Sequence, residues 1–292
     1  MIRRRVVLLV AASFALGACT TFTDNDAAAR VEGETLSRSD FDRLANAAAG
    51  EPDAERLEIP INLARDVLNT WIVTRIVTDD VVAAGVTPAT AATPDDRADD
   101  RADDGADDGV DAFTALLEEQ QAVFEQWLEL DGATDEEFRA AYERGPEHSE
   151  VVCTAHVLVD TRAEADEVVA ELEAGAAFAD VALERSTDTG SAMAGGVLPC
   201  ATITNFRNQY VPEYVDAALD ADVGVPTEPV ESAFGWHVIL VRPLDEIVDD
   251  PDARALYDDQ GVRFRRSARA ADIRVDPRFG AFDPARGVIE LG

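Results

Sequence analysis

Positive charge, histidine and cysteine are the scarce components of this 292-residue chain. It holds 25 Lys plus Arg against 59 Asp plus Glu, three histidines and three cysteines, and its formal net charge is −34. Clustered cations are what grip a phosphate backbone, so this deficit excludes nucleic acid as a partner. No compact spacing joins the histidines to the cysteines in a metal-ligand motif, and His148 falls on a turn. No G-x-S-x-G elbow surrounds Ser186, Ser191 or Ser232, which argues against a serine nucleophile. The glycine-rich run at 190–196 lacks the Gly-Lys-Ser/Thr ending of a phosphate loop. No apolar run spans a bilayer comfortably, no repeat appears beyond a recurring Asp pair, and no cofactor or metal is implied.

What is present suits a folded protein. Hydrophobic residues make up 47% and charged residues 29%, and the length accommodates two ordinary domains. The acidic surplus keeps such a chain dispersed and suits a salty medium. Arg3, Arg4 and Arg5 precede an apolar stretch from Val6 to Leu16, followed by Leu16-Gly17-Ala18-Cys19. Residues 1–19 therefore read as a targeting segment and resemble a lipoprotein signal with its lipobox. The resemblance implies cleavage before Cys19, lipid attachment to its sulfur, and tethering to the outer face of a bacterial membrane or in the periplasm. An ordinary cleaved signal is the alternative; on both readings the chain is exported. In an oxidising compartment Cys153 and Cys200 are compatible with a disulfide or with two buried thiols.

Beyond the leader, A-R-V-E-G-E-T-L-S reads as a strand, a turn at Gly33 and a helix start capped by Ser37. A helix over Ile61 to Ala84 carries Leu63, Val67, Leu68, Trp71, Ile72 and Ile76 and ends at Gly85. Residues 87–110, with an Asp pair every four residues and no large apolar side chain, read as a disordered acidic loop. Phe113, Leu116, Leu117, Val123, Phe124, Trp127 and Leu128 mark a second long helix, and Thr134 with Glu137 a capping box. Gly145-Pro146 and the polar residues after it read as a domain boundary.

Residues 151–246 then mix strands with helices. V-V-C-T-A-H-V-L-V and G-W-H-V-I-L-V are β-branched runs carrying His156 and His237. Period-two alternation puts Thr154, His156 and Leu158 on one strand face, and His237, Ile239 and Val241 on one face of the other. If the strands pair, the two imidazoles meet and satisfy each other, as a core pair or as part of a site. Helices between strands, with a last strand entered from a loop, fit an antiparallel sheet with helices packed on it. The chain closes with a helix from Pro251 to about Ala270, a short strand at Ile273 to Val275, and a loop.

Three motifs fall in order: A-H-V-L-V, then F-A-D-V-A-L-E-R-S-T-D-T-G-S-A-M-A-G-G-V-L, then Q-Y-V-P-E-Y with P-V-E-S-A-F-G-W-H-V-I-L-V. Together they resemble a parvulin-type peptidyl-prolyl cis-trans isomerase. Residues 27–150 and 247–292 resemble the chaperone part of PrsA/SurA-like foldase lipoproteins. The implied fold is α+β: an FKBP-like antiparallel sheet with packed helices at 151–246, inserted in a mainly helical domain built from both ends of the chain. The implied partners are unfolded exported proteins containing X-Pro bonds. The resemblance assigns His156, Asp188, His237 and Ser232 to the catalytic centre, and Leu198, Phe206, Tyr210, Tyr214 and Phe234 to a proline pocket. Tyr210 and Tyr214 stand where the family has Met and Phe, which leaves a non-catalytic holdase as the alternative. With no basic cluster beside Ser186 to Ser191, phosphorylated Ser/Thr-Pro is not the expected substrate.

Overall fold

The computed structural model describes residues 26–51, 59–89 and 112–290. Cys19, the leader and nearly all of the Asp-rich segment lie outside the described residues. The chain opens with β1 (Ala27–Val31) and β2 (Glu34–Ser37), then α1 (Arg38–Ala48), α2 (Ile61–Ala83), α3 (Ala112–Glu129), α4 (Asp135–Glu143) and the single turn α5 (Pro146–Ser149). The Ser37 hydroxyl accepts the Asp40 N–H, which fixes where α1 begins. Thr134 and Glu137 form the reciprocal capping box of α4. On α2, Val67, Leu68, Ile72, Ile76 and Val77 are buried, against α3 and α1. Leu117 and Leu128 of α3 are exposed, so its buried stripe is narrower than the apolar pattern suggests.

The two ends of the described chain share one sheet. After α11 (Leu244–Ile247), α12 (Pro251–Tyr257) and α13 (Gln260–Ala270), β8 (Ile273–Val275) pairs antiparallel with β1 to give the order β2-β1-β8. Ala268 of α13 enters the same core as Phe41, Leu68, Trp71 and Ile72. Two expectations are corrected here. The helix expected from Pro251 to Ala270 is two helices, because Asp259 caps a new start by accepting from Val262 N–H. The terminal loop is a hairpin, β9 (Ala281–Asp283) with β10 (Val288–Glu290), and Ile289 is buried.

Between these halves lie β3 (Val151–Val152), β4 (Thr154–Val159), α6 (Arg162–Glu173), α7 (Phe178–Arg185), α8 (Thr189–Ala192), β5 (Ala201–Thr202), α9 (Ile203–Gln209), α10 (Pro212–Asp220), β6 (Val230–Ser232) and β7 (Gly235–Val241). β4, β7 and β6 form an antiparallel sheet in that order, and β3 pairs with β5. One face of β4 packs Val157 and Val159 against Ala165, Val168, Val181 and Ala182 of α6 and α7. The other face meets α9 and α10 through Ile239, Phe206, Tyr214 and Val215. The sheet is thus covered on both sides, and the histidines belong to the α9–α10 side.

The junction between the halves is packed. Pro146 starts α5 directly after Gly145, and Ser149 and Glu150 are fully buried. Glu150 takes a left-handed conformation, φ +60°, and its carboxylate binds Arg265 at 3.0 Å and Arg269, both from α13. A buried carboxylate is tolerated only with such partners. Phe138, Tyr142, Ile247 and Tyr257 close a core around this junction together with Cys153. Cys153 and Cys200 form a disulfide with an S–S length of 2.04 Å.

Candidate active site

The antiparallel register places Leu158 opposite His237 and His156 opposite Ile239. Opposite residues share a face, so the two imidazoles lie diagonally on one side of the sheet. Their rings are nearly parallel, 17° apart, with Nδ1 to Nδ1 at 3.3 Å. Both residues are buried. Tyr214 from α10 meets each ring edge-on, at 5.7 Å from His156 and 5.2 Å from His237. Its hydroxyl donates to Thr154 Oγ1 at 3.2 Å.

Asp188 reaches this pair from the start of α8. Its side chain caps that turn by accepting the Gly190 N–H at 3.0 Å. The other carboxylate oxygen, Oδ2, lies 2.8 Å from His156 Nε2 and 2.6 Å from Ser191 Oγ. The bond from Ser191 and, against the effect of burial, those from His156 and Gly190 hold the Asp188 pKa down at about 2. Asp188 is therefore an anion and only accepts, so His156 Nε2 carries a proton. His237 is pulled down to about 4, by burial first and by His156 next, and is neutral near pH 7.

These constraints order the hydrogen bonds. With Ser232 Oγ, 2.7 Å from His237 Nε2, as donor to it rather than to the Gly235 carbonyl at 3.4 Å, one self-consistent arrangement follows. His237 Nδ1–H then points at His156 Nδ1, and His156 Nε2–H at Asp188. Every polar atom of the two rings is satisfied inside the network. Ser232 is not a nucleophile here. It does not line the cleft, it accepts the Phe234 N–H at 3.1 Å, and its histidine partner is a weak base.

Glycine fixes how closely the α8 segment approaches. Gly196 has φ +80°, its carbonyl accepts the His156 N–H at 2.9 Å, and a Cβ there would sit 2.4 Å from the His156 carbonyl oxygen. Only glycine fits both conditions. The glycine-rich run at 190–196 is thus a helical turn and a tight return clamped to the histidine strand.

Above the network is a cleft of about 590 Å³ lined by His156, Leu158, Asp188, Gln209, Tyr210, Val211, Pro212, Tyr214, Phe234 and His237. The structure brings together His156, Asp188, His237 and Ser232, and it places Tyr210, Tyr214 and Phe234 on the cleft wall. Leu198 and Phe206 are not on that wall. Phe206 is fully buried beneath Tyr210 and Tyr214, at ring distances of 4.7 and 5.9 Å, and Leu198 packs in the same core. Sequence reasoning missed Ser191 as a partner of Asp188, although its place three residues after a helix-capping Asp was available as a signal. Among the described residues, no group of three or more His, Cys, Asp or Glu is placed to hold a metal ion.

Residues 151–243 match the family model described as rotamase, PPIC-type PPIASE domain. A foldase protein PrsA of Halalkalibacterium halodurans is 34% identical over 159 residues, covering 51% of this chain and 46% of that protein. A parvulin-like PPIase of Rickettsia bellii is 38% identical over 92 residues, 32% of each chain. The solution structure of the parvulin of Nitrosopumilus maritimus is 34% identical, covers 32% of this chain and 95% of that one, and has a TM-score of 0.29. The chain spans about half the length, or less, of the curated relatives it matches. Sequence motifs, sheet register and family match agree that residues 151–243 are a parvulin domain of the PPIC type, carried in a PrsA-like chain.

Proposed function

We propose that the protein is an exported foldase that speeds cis-trans isomerisation of X-Pro bonds in unfolded clients. The observation that carries this reading is the hydrogen-bonded series Ser232, His237, His156, Asp188 under a largely apolar cleft roomy enough for a prolyl peptide segment. Rotation about the X-Pro amide is opposed by resonance, with a barrier of ~20 kcal/mol. The planar amide carries negative charge on oxygen and positive charge on nitrogen, and twisting removes both. An apolar cleft disfavours the polar planar form relative to the less polar twisted one. A fixed anion at Asp188 beside the carbonyl oxygen adds to that difference. No covalent step is required; the site acts by preorganised electrostatics.

In this reading His156 and His237 position Asp188, and Ser232 fixes their tautomers. Tyr210, Tyr214 and Phe234 hold the ring, while Leu198 and Phe206 support that wall from behind. Residues 27–150 with 247–292 act as the helical chaperone domain into which 151–246 is inserted, and the β2-β1-β8 sheet supports this division. Cys19 anchors the mature protein to the outer face of the membrane. A protease-coupled assay on an X-Pro peptide tests the chemistry. Wild type accelerates isomerisation, Asp188→Ala lowers kcat/KM at least tenfold, and His156→Ala lowers it comparably; a wild-type rate at background removes the enzyme.

Tyr210 and Tyr214, where the resembled family has Met and Phe, favour a second reading, a holdase with a degenerate site. Aggregation of an unfolded client separates the two. A holdase suppresses it equally with wild type and Asp188→Ala and shows no isomerisation with either.

A further inference from the structure

The cleft contains one side-chain hydroxyl that no internal bond consumes. His156 and His237 have all four ring nitrogens engaged, Asp188 only accepts, and the Tyr214 hydroxyl donates to Thr154. Gln209 is exposed at the rim, where water competes for its amide. Tyr210 differs from all of these. It ends α9 as a half-buried residue, its ring held at 4.7 Å from Phe206 and 5.3 Å from Tyr214, and it lines the cleft with Asp188. Among the described residues its hydroxyl has no hydrogen-bond partner.

Resting on the isomerase reading, we propose that the Tyr210 hydroxyl is a catalytic donor to the prolyl nitrogen of the twisted amide. In the planar amide that nitrogen's lone pair is delocalised and accepts no bond. Twisting localises the pair and makes the nitrogen an acceptor. A donor placed there stabilises the transition state alone, which raises kcat without tightening substrate binding. A donor aimed at the carbonyl oxygen would do the reverse, since that oxygen is more negative in the planar form. Burial and the nearby Asp188 raise the Tyr210 pKa, which keeps the proton on the hydroxyl. The Tyr at this position is then an additional catalytic group on an otherwise apolar wall.

The test uses the full chain and a proline peptide, with kcat and KM measured separately. Tyr210→Phe keeps the ring and removes only the hydroxyl. The expected result is a five- to tenfold lower kcat, about one neutral hydrogen bond, with KM within twofold. Tyr210→Met, an apolar wall without the hydroxyl, shows the same kcat loss. An active wild type with an unchanged or faster Tyr210→Phe overturns this inference and leaves the isomerase reading standing, as does a loss confined to KM. A wild type without activity overturns both.

Discussion

At the scale of single residues, burial sets the charge of the site. His237 is depressed to about 4 against an ordinary value near 6.5, so between those pH values the unfolded chain binds a proton that the folded one does not. Stability is then full above about pH 6.5 and declines as pH falls toward 4. Asp188 has the same sign in a lower window: it is depressed to about 2, so its contribution is present above its ordinary pKa of 3.8 and is lost as pH falls from there toward 2. The two windows do not overlap. Chemical denaturation at pH 7 and pH 4.5 should show wild type losing about 2 kcal/mol more than His237→Gln over that interval. The comparison between proteins cancels the many surface carboxylates. Identical losses would place His237 in a solvated setting.

Elements show which parts of the fold the sequence carried openly. The capping box at Thr134/Glu137 and the strands with period-two histidines were legible because their signals are local. Helix α9 was not, since Ile203 and Phe206 alone mark its buried face within a polar run. Ser149 and Glu150 were not legible either. A polar run reads as exposed, and the arginines that make its burial tolerable are more than a hundred residues away. Motif order nominated the candidate site residues but not their depth: whether Phe206 lines the cleft or underlies it depends on the tilt of α9. The Gly196 return is the element most sensitive to change. Gly196→Ala meets a positive φ and a 2.4 Å contact with the His156 carbonyl oxygen. A loss of about 3 kcal/mol is expected by thermal or chemical unfolding, with reduced isomerisation in the surviving folded fraction. A loss under about 0.5 kcal/mol would mean that the α8 segment is not clamped to β4.

Across the whole molecule, basic residues act as ties. The chain has no lysine, and its 25 basic residues are all arginine. Arg38 binds Asp276, Arg75 binds Glu119, and Arg265 with Arg269 binds Glu150, each joining segments far apart in sequence. A forked guanidinium suits such two-point bonding better than a flexible ammonium. Arg265 and Arg269 tie α13, which leads into β8, to Glu150 at the entry to the parvulin domain. No helix among the described residues is long and apolar enough to cross a membrane. Exchange spectroscopy by NMR on a short proline peptide reads X-Pro turnover by this cleft without a coupling protease. Cis-trans exchange cross-peaks should appear with catalytic amounts of wild-type protein and fade with Asp188→Ala; peptide binding without any exchange enhancement would contradict the proposed isomerase.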